Sequence, residues 1–357
     1  MNFELTSTQA TVQQTFARFS DNVIAPAAAA LDEAGNFPRD IFRQLAALGF
    51  FGIRYPQSAG GSGMDLVSFC LALEEISRGS LAVAGCAAMQ SLMGTNFLFQ
   101  LGDQALHQRL LYPALQGEKI GAICMTEPDA GSDLGGIRTS ATRVPGGYRL
   151  NGQKMWVTSA PVADFFTVFA RAGDDERLTI FLVERDFEGL SVGRAIDKMG
   201  VRALPTSELA LNDCLVPDSH RLSKAEGDGE EHLRRILSEI RIITGAMALG
   251  VGRAALDEAQ RYAGERCQFG KPINRFQAVQ LRLAEMATEM EAARHLVYHA
   301  AWRKDAGQSV RQHAAMAKLF ATEAATRVCD DEARFWLLMG SPWNTRCSVI
   351  CGMSALR

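Results

Sequence analysis

The stretch Cys124-Met125-Thr126-Glu127-Pro128-Asp129-Ala130-Gly131-Ser132-Asp133-Leu134-Gly135-Gly136 decides how the rest of the chain is read. A short apolar run, Ile120 to Met125, leads into it and reads as a buried strand ending at a polar turn. Thr126 places a hydroxyl, able to donate and accept, where the strand opens. Pro128, Gly131, Gly135 and Gly136 shape a loop whose backbone can approach a ligand closely. Gly131-Ser132-Asp133 adds backbone N–H groups and a hydroxyl, a set suited to a pyrophosphate or a carbonyl oxygen. Any few of these residues would pass for an acidic surface loop. The whole string reads as a ligand loop.

On either side the pattern changes. Residues 1 to about 118 read as helical, with Thr6 and Gln9 forming a capping box for the first helix. Leu66 to Arg78 and Leu81 to Leu98 carry apolar residues at helical spacing, and Glu74-Glu75 reads as a solvated face. Between them Tyr55 to Gly63 is glycine-rich; with no strand before it and no GK[ST] after it, a flexible connector is expected. From Ile120 to about Pro217 the runs are short and β-like. They cover 138–144, 148–159, 165–170, 178–183, 190–192 and 208–211, with Pro145-Gly146-Gly147 and Asn151-Gly152 as turn signals. Strands this short and this many predict a small barrel or sandwich. Residues 218 to 228 form a charged linker, and from Glu230 the chain is helical again. His295 and His299 share a helix face, but with no third ligand in view they read as packing or surface residues.

Composition narrows the class. The chain has 357 residues, 47% hydrophobic and 22% charged, enough for two or three domains with large cores. A net charge of -3 gives no reason to expect nucleic acid as a partner. No apolar run of membrane-spanning length and no basic-then-apolar leader are seen, so a cytoplasmic location is expected. Eight cysteines without a CxxC pair read as reduced core thiols.

Two further strings share the order of a known family. One is Lys154-Met155-Trp156-Val157-Thr158-Ser159, and the other is Glu265-Arg266-Cys267-Gln268-Phe269-Gly270-Lys271-Pro272 followed by Arg275-Phe276-Gln277. Read alone, Trp156 is more simply a core residue and Arg266 part of a charged turn. With Cys124 to Gly136 ahead of them, the chain from about residue 2 to 331 resembles the acyl-CoA dehydrogenases, flavoproteins that desaturate acyl thioesters. The resemblance implies an α+β multidomain fold: an N-terminal α-helical domain (1–118), a middle β-barrel or sandwich domain (119–222) and a C-terminal helical bundle (223–331). It implies FAD as cofactor, with Met125, Thr126, Gly131, Ser132, Trp156 and Thr158 around it. Arg266, Gln268, Phe276 and Gln277 would hold the FAD of a neighbouring subunit, so a homodimer or homotetramer is expected. Ser132 and Arg241 are the expected substrate contacts, an acyl-CoA or acyl-carrier thioester the substrate, and an electron-transfer flavoprotein the electron acceptor.

The reaction raises an acidity problem: a thioester α-proton leaves only if the carbonyl is hydrogen-bonded and a base is at hand. Most members of the family carry that base as a glutamate in a C-terminal Tyr-Glu-Gly string, which this sequence lacks. Other members carry it immediately before the arginine that Arg241 matches; here that residue is Ile240. Glu239, one residue back and about 100° around the helix, is a weak substitute that reads as a surface carboxylate. The Gly-Gly segment expected after Val328-Cys329-Asp330-Asp331 is missing too. The tail 332–357 resembles nothing in the family, yet its codons read one base earlier permit Gly-x-x-x-Glu-Tyr-Pro-Val-Gln-Arg-Tyr-Leu-Arg-Asp-Val. A frameshift near residue 332 that removes the catalytic glutamate, leaving an impaired or inactive thioester- and FAD-binding chain, is therefore expected. A flavin monooxygenase or nitroalkane-oxidase-like enzyme of the same fold is the other reading.

Overall fold

The computed structural model describes residues 4–173 and 177–337. The capping box forms as the sequence predicts: the Gln9 amide donates to the Thr6 hydroxyl at 3.2 Å, and the Thr6 amide to Gln9 Oε1 at 3.0 Å. This starts α1 (Ser7–Phe19), followed by α2 (Ala25–Ala34), α3 (Arg39–Ala47), α4 (Leu66–Gly79), α5 (Leu81–Ala88) and α6 (Asn96–Leu101). Two short helices, α7 (Gln104–Leu106) and α8 (Tyr112–Leu115), close this part. Its core is aromatic, with Phe42 against Phe51 and Phe50 against Phe16 and Phe69.

Four expectations change here. The expected helix from Leu81 to Leu98 is interrupted by a π-helical stretch, Met89–Gly94, where Gly94 packs on the Gly121 backbone. The Tyr55–Gly63 turn is packed rather than loose. A side chain at Gly61 would strike the Tyr55 and Gly52 carbonyls, and Tyr55 Oη lies 2.7 Å from Thr95 Oγ1. Glu74 and Glu75 are buried, not solvated, because cations come to them across the helix interface. Glu74 accepts from Arg253 at 2.8 Å, from Tyr298 at 2.6 Å and from Arg294, while Glu75 accepts from Arg253 and, at 3.0 Å, from Arg78. Finally, Leu81–Leu101 is long and apolar enough to cross a membrane, but 78% of its apolar window is buried inside the fold, as in a core helix.

Most of the middle strands fall close to where the short β-like runs placed them: β1 (Gly121–Cys124), β2 (Ser140–Val144), β3 (Gly147–Thr158), β4 (Phe165–Ala172), β5 (Arg177–Glu184) and β6 (Leu190–Val192), whereas β7 (Thr206–Pro217) runs well beyond the expected 208–211. Instead of two packed sheets they form one curled seven-stranded sheet in the order β1-β4-β2-β3-β7-β6, with β5 added on β4. Parallel β1 and β2 pair with successive halves of β4, so the loop between β1 and β2 leaves the sheet and returns to it beside the same strand. Asn151-Gly152 is not a turn. β3 runs through it with a register shift against β7, and the Gly152 backbone packs on Thr139.

Long helices complete the described chain: α9 (Gly229–Glu265), α10 (Gln277–Asp305) and α11 (Arg311–Leu337). Small residues let them approach, with Gly245 against Val297 and Ala317 and Gly252 against Met290 and Ala325. Gly250 meets the Glu74 carbonyl, so α4 packs on the same bundle. The frameshift expected near residue 332 is not borne out: α11 continues through that point to Leu337, and Glu332 is buried. The rest of the tail, 338–357, lies outside the described residues.

Candidate active site

β1 ends at Cys124, whose thiol is pushed up to about 12 by burial and stays protonated, so it is no nucleophile. The loop that follows is anchored to β3 by its own backbone, the Met155 amide donating to the Thr126 carbonyl at 2.8 Å. That bond takes Met155 away from the β3–β7 ladder. Lys154 pairs with Leu209 and Val157 with Ser207, so Met155 and Trp156 together face Glu208 in a β-bulge. At the bulge Trp156 adopts φ 57° and its side chain is 58% exposed. A bulky residue in the left-handed region is a true outlier, and a large aromatic held in solvent is costly as well. Trp156 is therefore not the core residue that a context-free reading suggests. It is a ring held out from the sheet.

The neighbouring strand end is packed, while the loop beside it is open. Thr158 pairs in register with Thr206, and Ser159, at φ 64°, donates its amide to the Pro205 carbonyl at 2.7 Å. Met125 and Thr126 are half-buried, and Gly131 and Ser132 are exposed. A Cβ at Gly131 would meet nothing within 4 Å, which leaves its backbone open to a ligand. Asp133 turns the loop by accepting from the Gly135 amide at 3.0 Å.

Two residues were passed over in the sequence, Glu127 and Lys154. They form a buried ion pair at 2.7 Å directly beneath the loop. The signal was there: Lys154 follows Tyr148 and Leu150 as an inward position of its strand. Burial raises the Glu127 carboxyl, but hydrogen bonds from Lys154, Thr139 and the Arg138 amide outweigh it and hold Glu127 below its usual range. Burial pulls the Lys154 amine below its own usual value despite Glu127.

Glu239 is not a surface carboxylate. It lies 2.8 Å from Arg54 and 3.1 Å from Lys304. Burial favours its neutral form, yet the Arg54 and Lys304 charges win and lower its pKa. A carboxylate held this way is a poor proton acceptor. Arg241, on the same helix, is half-buried, and no hydrogen bond or ion pair reaches it among the described residues.

The remaining expected residues gather at the junction of α9 and α10. Cys267–Gln268 and Lys271–Pro272 pair as β8 and β9 around a two-residue turn, with Phe269 at φ 53° and Gly270 at φ 78°. That turn geometry favours asparagine or glycine, yet it carries a phenylalanine that is 92% exposed. Lys271 Nζ sits 4.4 Å over the Phe276 ring, and Gln277 opens α10 from an exposed position. Arg266, half-buried, ends α9 by donating its amide to the Tyr262 carbonyl at 2.8 Å. His295 pairs with Glu291 at 3.2 Å and His299 stacks on Trp302; no three metal-ligating side chains converge among the described residues.

Comparison with known proteins matches this arrangement to one family along nearly the whole chain. Its N-terminal domain model matches residues 6–118, its middle domain model 122–214 and its C-terminal domain model 227–336, each described as acyl-CoA dehydrogenase. The chain is 68% identical to a benzylmalonyl-CoA dehydrogenase of Aromatoleum aromaticum over 94% of its own length and 89% of that protein. It is similar to the solved butyryl-CoA dehydrogenase of Megasphaera elsdenii, with TM-score 0.95 and 33% identity over 100% of this chain and 94% of that one. It is also similar to a glutaryl-CoA dehydrogenase of Mycobacterium smegmatis in complex with FADH2, with TM-score 0.93 and 27% identity over 99% and 90% of the two chains. The chain belongs to the acyl-CoA dehydrogenase family, an FAD-dependent oxidoreductase acting on the CH–CH bond of acyl-CoA.

Proposed function

We propose that this chain binds FAD on the Trp156 face and desaturates an arylmethyl-malonyl thioester there. The observation that carries the reading is Trp156 itself, an exposed ring on a strained bulge, stitched to an open Gly131-Ser132 loop. The residues fit the cofactor: Trp156 offers a stacking face, Met125, Thr126 and Thr158 line its polar edge, and Gly131 and Ser132 offer donors for a pyrophosphate. Arg266, Gln268, Phe276 and Gln277 reach the FAD of a second copy, and the exposed Phe269 is buried in that contact. FAD, when bound, takes up the β-hydrogen as hydride.

The substrate class rests on the relative, whose name specifies a malonyl thioester. Such a substrate bears a carboxylate on its α-carbon. Breaking the C–CO2 bond leaves the electron pair on that carbon, so the carbanion forms without a protein base. This suits a chain in which Glu239 is locked between Arg54 and Lys304. Arg241, a half-buried cation, meets the substrate's negative charge. The products are an arylacrylyl thioester and CO2, and the electrons pass to an electron-transfer flavoprotein. The free thiols of Cys70, Cys86, Cys124, Cys214 and Cys267 suit a reducing, cytoplasmic setting.

The test compares benzylmalonyl-CoA with butyryl-CoA under an artificial electron acceptor while CO2 is trapped. The expected outcome is a preference for benzylmalonyl-CoA, with one CO2 released per two electrons taken up by the acceptor. Preference for butyryl-CoA, or oxidation without CO2, rejects the malonyl assignment. Oxygen uptake without any thioester supports a monooxygenase instead.

A further inference from the structure

A lysine with no exposed surface is rare, because its ammonium must be fully paired once it leaves water. Lys154 is such a residue. Its Nζ donates to Glu127 Oε1 at 2.7 Å and to the Met125 carbonyl at 3.2 Å. Glu127 is satisfied from the other side: the Thr139 hydroxyl at 2.5 Å and amide at 3.0 Å reach Oε1, and the Arg138 amide at 2.7 Å reaches Oε2. These contacts join both feet of one loop. Met125 and Glu127 are where it leaves β1, and Arg138 and Thr139 are where it returns toward β2. The third strand of the junction is β3, where Lys154 stands two residues before Trp156.

We propose that Lys154 and Glu127 are positioning residues of the flavin site, a buried clamp that sets the polar loop and the Trp156 ring at the one spacing a single ligand can span. The inference rests on the flavin reading of the Trp156 face. An apolar pair of the same volume would hold the core as well or better, since buried ion pairs seldom gain stability over hydrophobic replacements. What an apolar pair lacks is direction. The ammonium can point at Glu127 and the Met125 carbonyl only with β3 and the loop in one register. The Met155–Thr126 bond then carries that register to the bulge.

The experiment uses the whole chain stripped of FAD and titrated with FAD by calorimetry, alongside its thermal midpoint and the visible spectrum of the bound flavin. The double variant Glu127→Gln with Lys154→Met removes both charges together, so neither is left alone in the core. Thr139→Val is the milder variant; it deletes one donor to Glu127 and leaves the pair in place. Both are expected to keep the apo midpoint near the wild type. The double variant is expected to bind FAD about tenfold or more weakly and to show a flavin band moved toward that of free FAD. Thr139→Val is expected to show a smaller loss of the same kind. Wild-type affinity and spectrum in the double variant overturn the proposal, as they would for a mere structural brace. If the double variant does not fold, unchanged FAD binding by Thr139→Val overturns it alone. Trp156→Ala separates the two claims. Unchanged FAD affinity there rejects the flavin face itself, whereas weakened affinity there with unaffected clamp variants rejects only the clamp.

Discussion

Replacing Trp156 by glycine should lower cofactor affinity while leaving apo stability nearly unchanged. The ring is 58% exposed and the backbone sits at φ 57°. A side chain in that region stores of order 1–3 kcal/mol of backbone strain, which glycine releases. Truncating a buried tryptophan costs about 3–5 kcal/mol, but most of this ring packs on nothing in the apo chain, so only a fraction of that is lost. The two effects oppose, leaving the apo variant within about 1 kcal/mol of the wild type, or roughly 1–2 °C in melting temperature for a chain this large. FAD loses its stacking face, worth about 0.5–1.5 kcal/mol beyond the area covered, so its Kd should rise roughly tenfold. Differential scanning calorimetry of the apo chain and isothermal titration with FAD read the two quantities separately. A large fall in apo stability with unchanged FAD affinity would show that Trp156 is a packing residue and refute the reasoning.

Other consequences are as direct. Glu74→Ala removes the shared partner of Arg253, Arg294 and Tyr298, and a lost buried carboxylate of this kind costs about 3–5 kcal/mol; a urea midpoint close to the wild type would contradict it. The carboxyl groups of Glu127, Glu184 and Glu239 are all held below their ordinary value of 4.5. Their contribution is fully present above that value and is lost as pH falls through the lower values of the folded state. The melting temperature should therefore drop steadily below about pH 4.5, and a flat profile there would be inconsistent with these pairs. Phe269→Asp, at the exposed hairpin tip, should lower the mass seen by light scattering and the FAD retained; an oligomer with full FAD would rule out the hairpin as the contact.

Local patterns were the most legible part of the chain. The alternation in 138–144 and 148–159 placed β2 and β3 to within a few residues, because sidedness is written at period two, and the short run 165–170 marked β4, which is buried on both faces. How the strands join was not readable, since β1 and β2 share an edge of β4 across the ligand loop. Asn151-Gly152 shows the same limit: its dipeptide chemistry is that of a turn, but β3 pairs with β7 on both sides of it, and the extra residue of the register shift falls on β7, where Asn212 and Asp213 together face Asn151. Glu74, Glu75 and Glu239 read as surface charges because their partners, Arg253, Arg294, Arg54 and Lys304, are remote in sequence. The site strings were legible as strings. That Trp156 stands outside the sheet, and that Lys154 and Glu127 lie beneath it, depends on backbone geometry that no periodicity encodes.

The most direct test of the central claim is an anaerobic titration of the FAD-loaded chain with benzylmalonyl-CoA, followed by the visible flavin absorption. The account predicts bleaching of the oxidised band that saturates near one thioester per flavin, with the arylacrylyl thioester recovered in equal amount. A band left unbleached by benzylmalonyl-CoA and by butyryl-CoA alike would contradict it.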